Sequence, residues 1–267
     1  MATTVVNTAF LVRKMLDEIS CLQSSLTPSL FLDADGRSLC RTGPLAILEL
    51  HCNTPAQSRT YLIHVHFLED RAFSTLSTNG LYTLKTILED PATPKAFFDV
   101  RMDADALYNQ FGIALAGVID VQLMELSARA KIDGGSDGWL HSFARCLKYD
   151  SGLAAGEVER FESTRSRGKA LWDPDLGGSY DVFEVGSLSS EIIEYCGANV
   201  RALPRLFRLY NSRLDEKVRL TERDDYHACR IIEASRNRVV MAQGPPRAAS
   251  SKGPWDDWNG GYWTMER

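Results

Sequence analysis

The chain has 267 residues with 30 Lys and Arg against 35 Asp and Glu, a net charge of -5. This is enough chain for one well-buried core with additions. An apolar fraction of 44% with 24% charged residues excludes wholesale disorder and a collagen-like or coiled-coil rod, while the acidic balance excludes a globally basic nucleic-acid coat but leaves room for a local phosphate track. The charge is unevenly spread: the stretch 201–247 holds eleven Lys and Arg against six acids, which reads either as a solvated helical face or as such a track.

Residues 1–27 are expected to form an N-terminal helical extension. From Pro28 come three strand-like runs, SLFLDAD (29–35), PLAILELHC (44–52) and TYLIHVHFL (60–68), each bounded by Gly, Pro, Asn or Ser. They predict an antiparallel meander. A helix over 82–89, a strand over 95–100, a helix over 103–111 and a strand-to-helix step over 116–130 follow. The resulting order, β-β-β-α-β-α-β-α, predicts an α/β domain on a mixed sheet rather than a doubly wound dinucleotide fold.

KIDGGSDG (131–138) is a turn-rich break before a short helix in WLHSFARCLKYD, and beyond it the chain reads as mostly helical. Ser189 and Ser190 are N-cap candidates for a helix carrying Ile192, Ile193, Cys196 and Val200, which Pro204 is expected to kink or restart. A last helix is expected over 220–241. The main domain therefore spans 28–242, and 243–267, with GPPRAASSKGP and WDDWNGGYW, reads as a flexible tail.

Six scattered cysteines without a C-x-x-C, and a start lacking an apolar core with a cleavage site, predict a reduced cytoplasmic or nuclear protein. No run approaches the roughly 18 apolar residues of a membrane span, so no membrane association is expected. No nucleophile elbow, P-loop or dinucleotide fingerprint appears.

The end of the first strand carries Asp33-Ala34-Asp35-Gly36, where a period of two sets both carboxylates on one face. Such a pair can bind hard divalent cations, although D-x-D-G also describes an ordinary turn. Asp105 stands near the start of a helix that follows a strand, and Tyr195 and Asn199 lie four residues apart on one helix face. His64 and His66 would share a strand face, as a metal pair or as polar-face residues. Trp172, Tyr180 and Phe183 read as base-stacking rings or as packing.

The series LDADG, FFDVRMDADALYNQFGI, GVIDVQLMELSARA and LSSEIIEYCGANVRALPRLFRLYNSRL resembles the 3'-5' exonuclease domain of the RNase D type, in the tyrosine branch of the Asp-Glu-Asp-Asp exonuclease superfamily. It is most similar to fungal proteins that carry that domain, and the likeness runs from about Pro28 to Asn211. The resemblance implies a ribonuclease H-like mixed sheet with helical C-terminal additions, two Mg or Mn ions, and hydrolysis of RNA or single-stranded DNA from the 3' end.

It sets Asp33 on the Asp and Asp35 on the Glu of the D-x-E motif, Asp105 on the second-motif Asp, Tyr195 on the tyrosine that orients water, and Asn199 on the last Asp. Asp33 would bridge both ions, Asp35 and Asn199 would hold one, and Asp105 the other. Two acids depart from the pattern, since Asp35 is one methylene short and Asn199 brings no charge. The alternative is a catalytically inactive pseudo-exonuclease, kept as a nucleic-acid-binding or protein-scaffolding module. Asp99, Asp103 and Asp120 are nearby acids that would either rescue the site or cap helices.

Overall fold

The computed structural model describes residues 3–19, 27–54, 58–129, 139–221 and 226–245. A strand, β1 (Thr3–Val6), and a helix, α1 (Ala9–Ile19), lead into the meander of β2 (Leu30–Gly36), β3 (Leu45–Asn53) and β4 (Ser58–His64). Three short helices follow, α2 (Val65–Leu68), α3 (Arg71–Ser74) and α4 (Leu84–Glu89), then β5 (Lys95–Phe97), α5 (Arg101–Phe111), β6 (Val118–Asp120) and α6 (Val121–Arg129). The remainder is helical, with α7 (Phe143–Tyr149), α8 (Ala155–Trp172), α9 (Ser190–Thr221) and α10 (Tyr226–Ala242).

The six strands form one mixed sheet in the order β1-β4-β3-β2-β5-β6. The β2–β3 and β3–β4 pairs are antiparallel and the other three are parallel. This is the mixed α/β architecture that the element order predicts.

Alternation along the meander sorts its side chains between two layers. Leu30, Leu32, Leu48 and Leu50 join Val12, Met15, Leu16, Leu84 and Leu88 on one face. On the other face Phe31 packs with Leu203, Phe207 and Tyr210 of α9, and Ile47 and Leu62 pack with Ile192, Tyr195 and Cys196. A long helix thus covers the face on which Asp33 and Asp35 stand.

Four local readings differ from the sequence expectations. The first residues are a strand and not solely a helical extension: Thr3–Val6 pairs in parallel with Thr60–Ile63, and Val6 joins the core. The third strand ends at His64, and Val65–Leu68 turns helical. His66 therefore does not share a strand face with His64, and their ring centroids lie 6.3 Å apart, edge to face.

Pro204 does not restart the helix, since α9 runs unbroken from Ser190 to Thr221. Burial of Leu203, Leu206 and Phe207 and two bonds from Arg205 to the Ser151 and Gly152 carbonyls (2.7 and 3.1 Å) outweigh one missing backbone donor. The last helix begins at Tyr226. The turn-rich 131–138 segment and 246–267 of the expected tail lie outside the described residues. The described cysteines are free thiols, and no described helix is long and apolar enough to cross a membrane.

Candidate active site

β2 brings its two acids to the end of a buried strand, where the register with β3 shifts by one residue between Asp35 and Gly36. Such a bulge re-aims a side chain at a strand end. Gly36 is needed there because a Cβ would run into the Pro44 carbonyl. α9 starts above this point, so Tyr195 and Asn199, one turn apart, look down on the strand.

Asn199 Nδ2 donates to Asp33 Oδ2 at 2.9 Å, closing a contact between residues 166 positions apart. The Arg165 guanidinium of α8 donates to Asn199 Oδ1. Arg165 also sits over the Tyr195 ring, 5.9 Å from its centroid. Asp33 takes a further bond from the Ala34 N–H at 3.1 Å. Burial and then the charge of Asp35 push the Asp33 carboxyl up to about 6.

Asp105, the acid expected from the second motif, is engaged by other groups. Asp105 is held by Arg41, whose guanidinium lies 2.8 Å from Oδ1 and whose backbone N–H lies 2.5 Å from Oδ2. Asn109 Nδ2 adds a bond at 3.1 Å. Asp105 thereby ties the 37–44 loop to α5. Asp103 instead faces the site: it is buried, its Oδ1 has no partner, and burial followed by the charge of Asp33 raises its carboxyl well above the ordinary value. At 100° per residue, two positions on a helix differ by about 200°, so only one of these acids can turn toward the sheet.

Sequence reasoning missed two residues. Glu49 of β3 is 1% exposed and directly opposite Asp33 in the antiparallel register. Its carboxylate, the Asp35 carboxylate and Cys196 Sγ offer ligand atoms within 4.8 Å of one another, and this is the one such group of three among the described residues. Burial and the charges of Asp35 and Asp33 hold Glu49 protonated well above its usual range. The register itself, read from the hairpin, is the signal that finds it. Arg165 lies in α8, a largely exposed helix without a strong apolar face, so nothing local marks it.

The Tyr195 hydroxyl is raised by burial first and by Asp35 next, so it stays protonated at any working pH. It can orient a water molecule but cannot act as a base. Trp172 packs between Tyr180 and Tyr195, with ring centroids at 5.5 and 6.1 Å, and Phe183 is buried, which makes this aromatic group a wall behind the site. Cys196 is buried, with its thiol raised, and is no nucleophile. A cavity of about 210 Å³ opens beside Asp33 and Asn199, bounded by Phe98, Ser142, Phe143 and Arg165.

The unpartnered carboxylate oxygens of Glu49 on β3 and Asp103 on α5, together with Asp33 and Asp35 at the end of β2, form a donor set of hard oxygen ligands that fits divalent cations.

Known proteins resemble this chain in sequence over part of its length and in fold over most of it. The mouse piRNA biogenesis protein EXD1 is 36% identical over 102 residues, which is 38% of this chain and 16% of that protein. The human protein of the same name is 35% identical over 102 residues, 38% of this chain and 18% of the relative. The chain thus spans under a fifth of either relative's length.

In three dimensions, the Trypanosoma brucei RNase D solved with RNA U12 superposes with a TM-score of 0.66 at 18% identity, covering 94% of this chain and 74% of that one. Escherichia coli RNase D gives 0.58 at 17% identity, covering 92% and 52%. A family model described as 3'-5' exonuclease matches residues 47–214, beginning after β2 and taking in Glu49, Asp103, Tyr195 and Asn199. With well over half of its length matched and the RNase D fold around its buried acids, the chain belongs to the 3'-5' exonuclease family.

Proposed function

We propose that this chain shortens single-stranded RNA or DNA from the 3' end, working in the cytoplasm or nucleus, where free thiols persist. The observation that carries the reading is Asp103, turned toward Asp33 with an oxygen that no protein group satisfies. Asp33, central to the group, would touch two Mg or Mn ions, with Asp35 beside one and Asp103 beside the other. When bound, such ions supply an activated water and stabilise the leaving 3' oxygen.

The chain's own groups do the rest. The Tyr195 hydroxyl orients the water, Arg165 meets the scissile phosphate with a guanidinium, and Phe98 and Phe143 give the last base an apolar wall. The likeness to an RNase D solved with RNA supports RNA as the first substrate to test.

A second reading has its own observation. Asn199 donates to Asp33 and accepts from Arg165, an amide bridge where a charged ligand is expected, which favours a pseudo-exonuclease that binds single strands or a protein partner without cutting.

A time course on 5'-labelled single-stranded RNA and DNA with Mn separates the two. Stepwise shortening by the natural chain, abolished in Asp33→Ala, is the expected result. Asn199→Asp should raise the rate by about a hundredfold, because charge count tunes affinity for hard cations. Cutting by Asn199→Asp alone, or salt-sensitive binding without product in every form, establishes the binding module instead.

A further inference from the structure

We propose that Glu49 is a cation ligand of this site and supplies the carboxylate that Asn199 lacks. The inference rests on the metal-dependent reading above and adds a residue to it. Glu49 pairs with Asp33 across the β2–β3 ladder, so its side chain leaves the same face of the sheet; directly opposed residues stand about 5 Å apart. Its oxygens come within 4.8 Å of Asp35 and of Cys196 Sγ.

Folding gives no reason for this acid. Glu49 is 1% exposed, neither of its oxygens makes a well-formed hydrogen bond among the described residues, only the Asp35 carboxyl and the Cys196 thiol lie against it, and its neighbours Leu48 and Leu50 and its β4 partner Leu62 are all buried leucines. A buried carboxyl group beside two others carries its charge only when something positive joins them. No Lys or Arg ion-pairs with Glu49 among the described residues, whereas Asp105 and Asp120, equally buried, each have an arginine. A cation from solution is the partner that this grouping of ligand atoms fits.

The shapes agree as well. Asp35 stops one methylene short of the glutamate in the D-x-E pattern, and Glu49 brings a longer side chain to within 4.8 Å of it from the neighbouring strand. Asp33, Asp35, Glu49 and Asp103 together restore a set of four carboxylates.

The test measures Mn binding to the full chain, stripped of metal, by calorimetry and by loss of the free-Mn electron paramagnetic resonance signal. The natural chain, Glu49→Gln, Asn199→Asp and the double variant are compared. Glu49→Gln keeps the shape and removes the charge, and should weaken Mn binding at least about tenfold. Asn199→Asp placed in that background should restore most of the loss.

Equal affinity in the natural chain and Glu49→Gln overturns the role of Glu49 and leaves the metal site standing. Absence of binding in both the natural chain and Asn199→Asp overturns the metal reading and this inference with it. A crystal of the natural chain soaked in Mn gives the same answer without a variant: a Glu49 oxygen about 2.2 Å from the ion supports the proposal, and one beyond contact overturns it.

Discussion

Asp99 and Asp120, at the β5–β6 end of the sheet, and Asp33 and Glu49, on the β2–β3 hairpin, are all withdrawn from solvent, yet only the first pair forms ion pairs. Arg101 Nε meets Asp99 at 2.5 Å and Arg238 Nη1 meets Asp120 at 2.6 Å. Asp120 also accepts the backbone N–H groups of Asp99, Val100 and Gln122. Although burial opposes it, Arg101 and then Arg238 hold the Asp99 carboxyl below its ordinary value.

On the hairpin the direction reverses, and burial and like charges raise Asp33 and Glu49. One end of the sheet uses its acids to fasten α10 to β6. The other keeps its acids short of partners, which is how a binding site for positive charge differs from a structural network.

The contrast can be broken at its strong end first. Arg238→Ala strands a buried Asp120 and weakens the hold of α10, and should cost about 3–5 kcal/mol in urea unfolding. A loss below about 1 kcal/mol would mean that the network is not structural.

At the weak end the sign inverts. The folded-state value of about 6 for Asp33 lies above its ordinary 3.8, so the folded chain holds that proton more tightly than the unfolded one. The Asp33 contribution therefore favours folding at acid pH and is lost as pH climbs from about 4 to about 6. In the metal-free chain at pH 7, Asp33→Asn should raise stability by about 2–3 kcal/mol and flatten this pH slope, while removing stabilisation by Mn. Thermal unfolding with and without a chelator reads both.

The smallest effect separates the two acids of α5. Asp105→Asn should lose about 1 kcal/mol through Arg41 and leave Mn binding unchanged, whereas Asp103→Asn should weaken Mn binding. The opposite outcome would return Asp105 to the site.

Legibility followed the range of the information. β2, β3 and α6 could be read because each carries its own periodicity and its own boundaries, and Asp33, Asp35, Tyr195 and Asn199 because they belong to short motifs. Asp103 and Asp105 both fit a helix start, and only the placement of α5 on the sheet decides which turns inward. Glu49 reads as one polar residue in an apolar strand until its register with Asp33 is known. β1 is four residues long and becomes a strand through its pairing with β4. Pro204 obeys packing over local preference.

Gly168 bears on how wide the active-site cleft is. It is the one buried residue of α8, and a Cβ there would fall on the Tyr195 side chain. α8 comes this close to α9 only because that position carries no side chain, and the same approach sets Arg165 over Asn199. A single methyl group at 168 would push α8 outward and carry Arg165 away from Asp33, enlarging the cavity beside Asp33 and Asn199 without altering any acid. The spacing between α8 and α9 at the candidate site, and with it the width of the cavity beside Asp33, is gauged by one hydrogen atom.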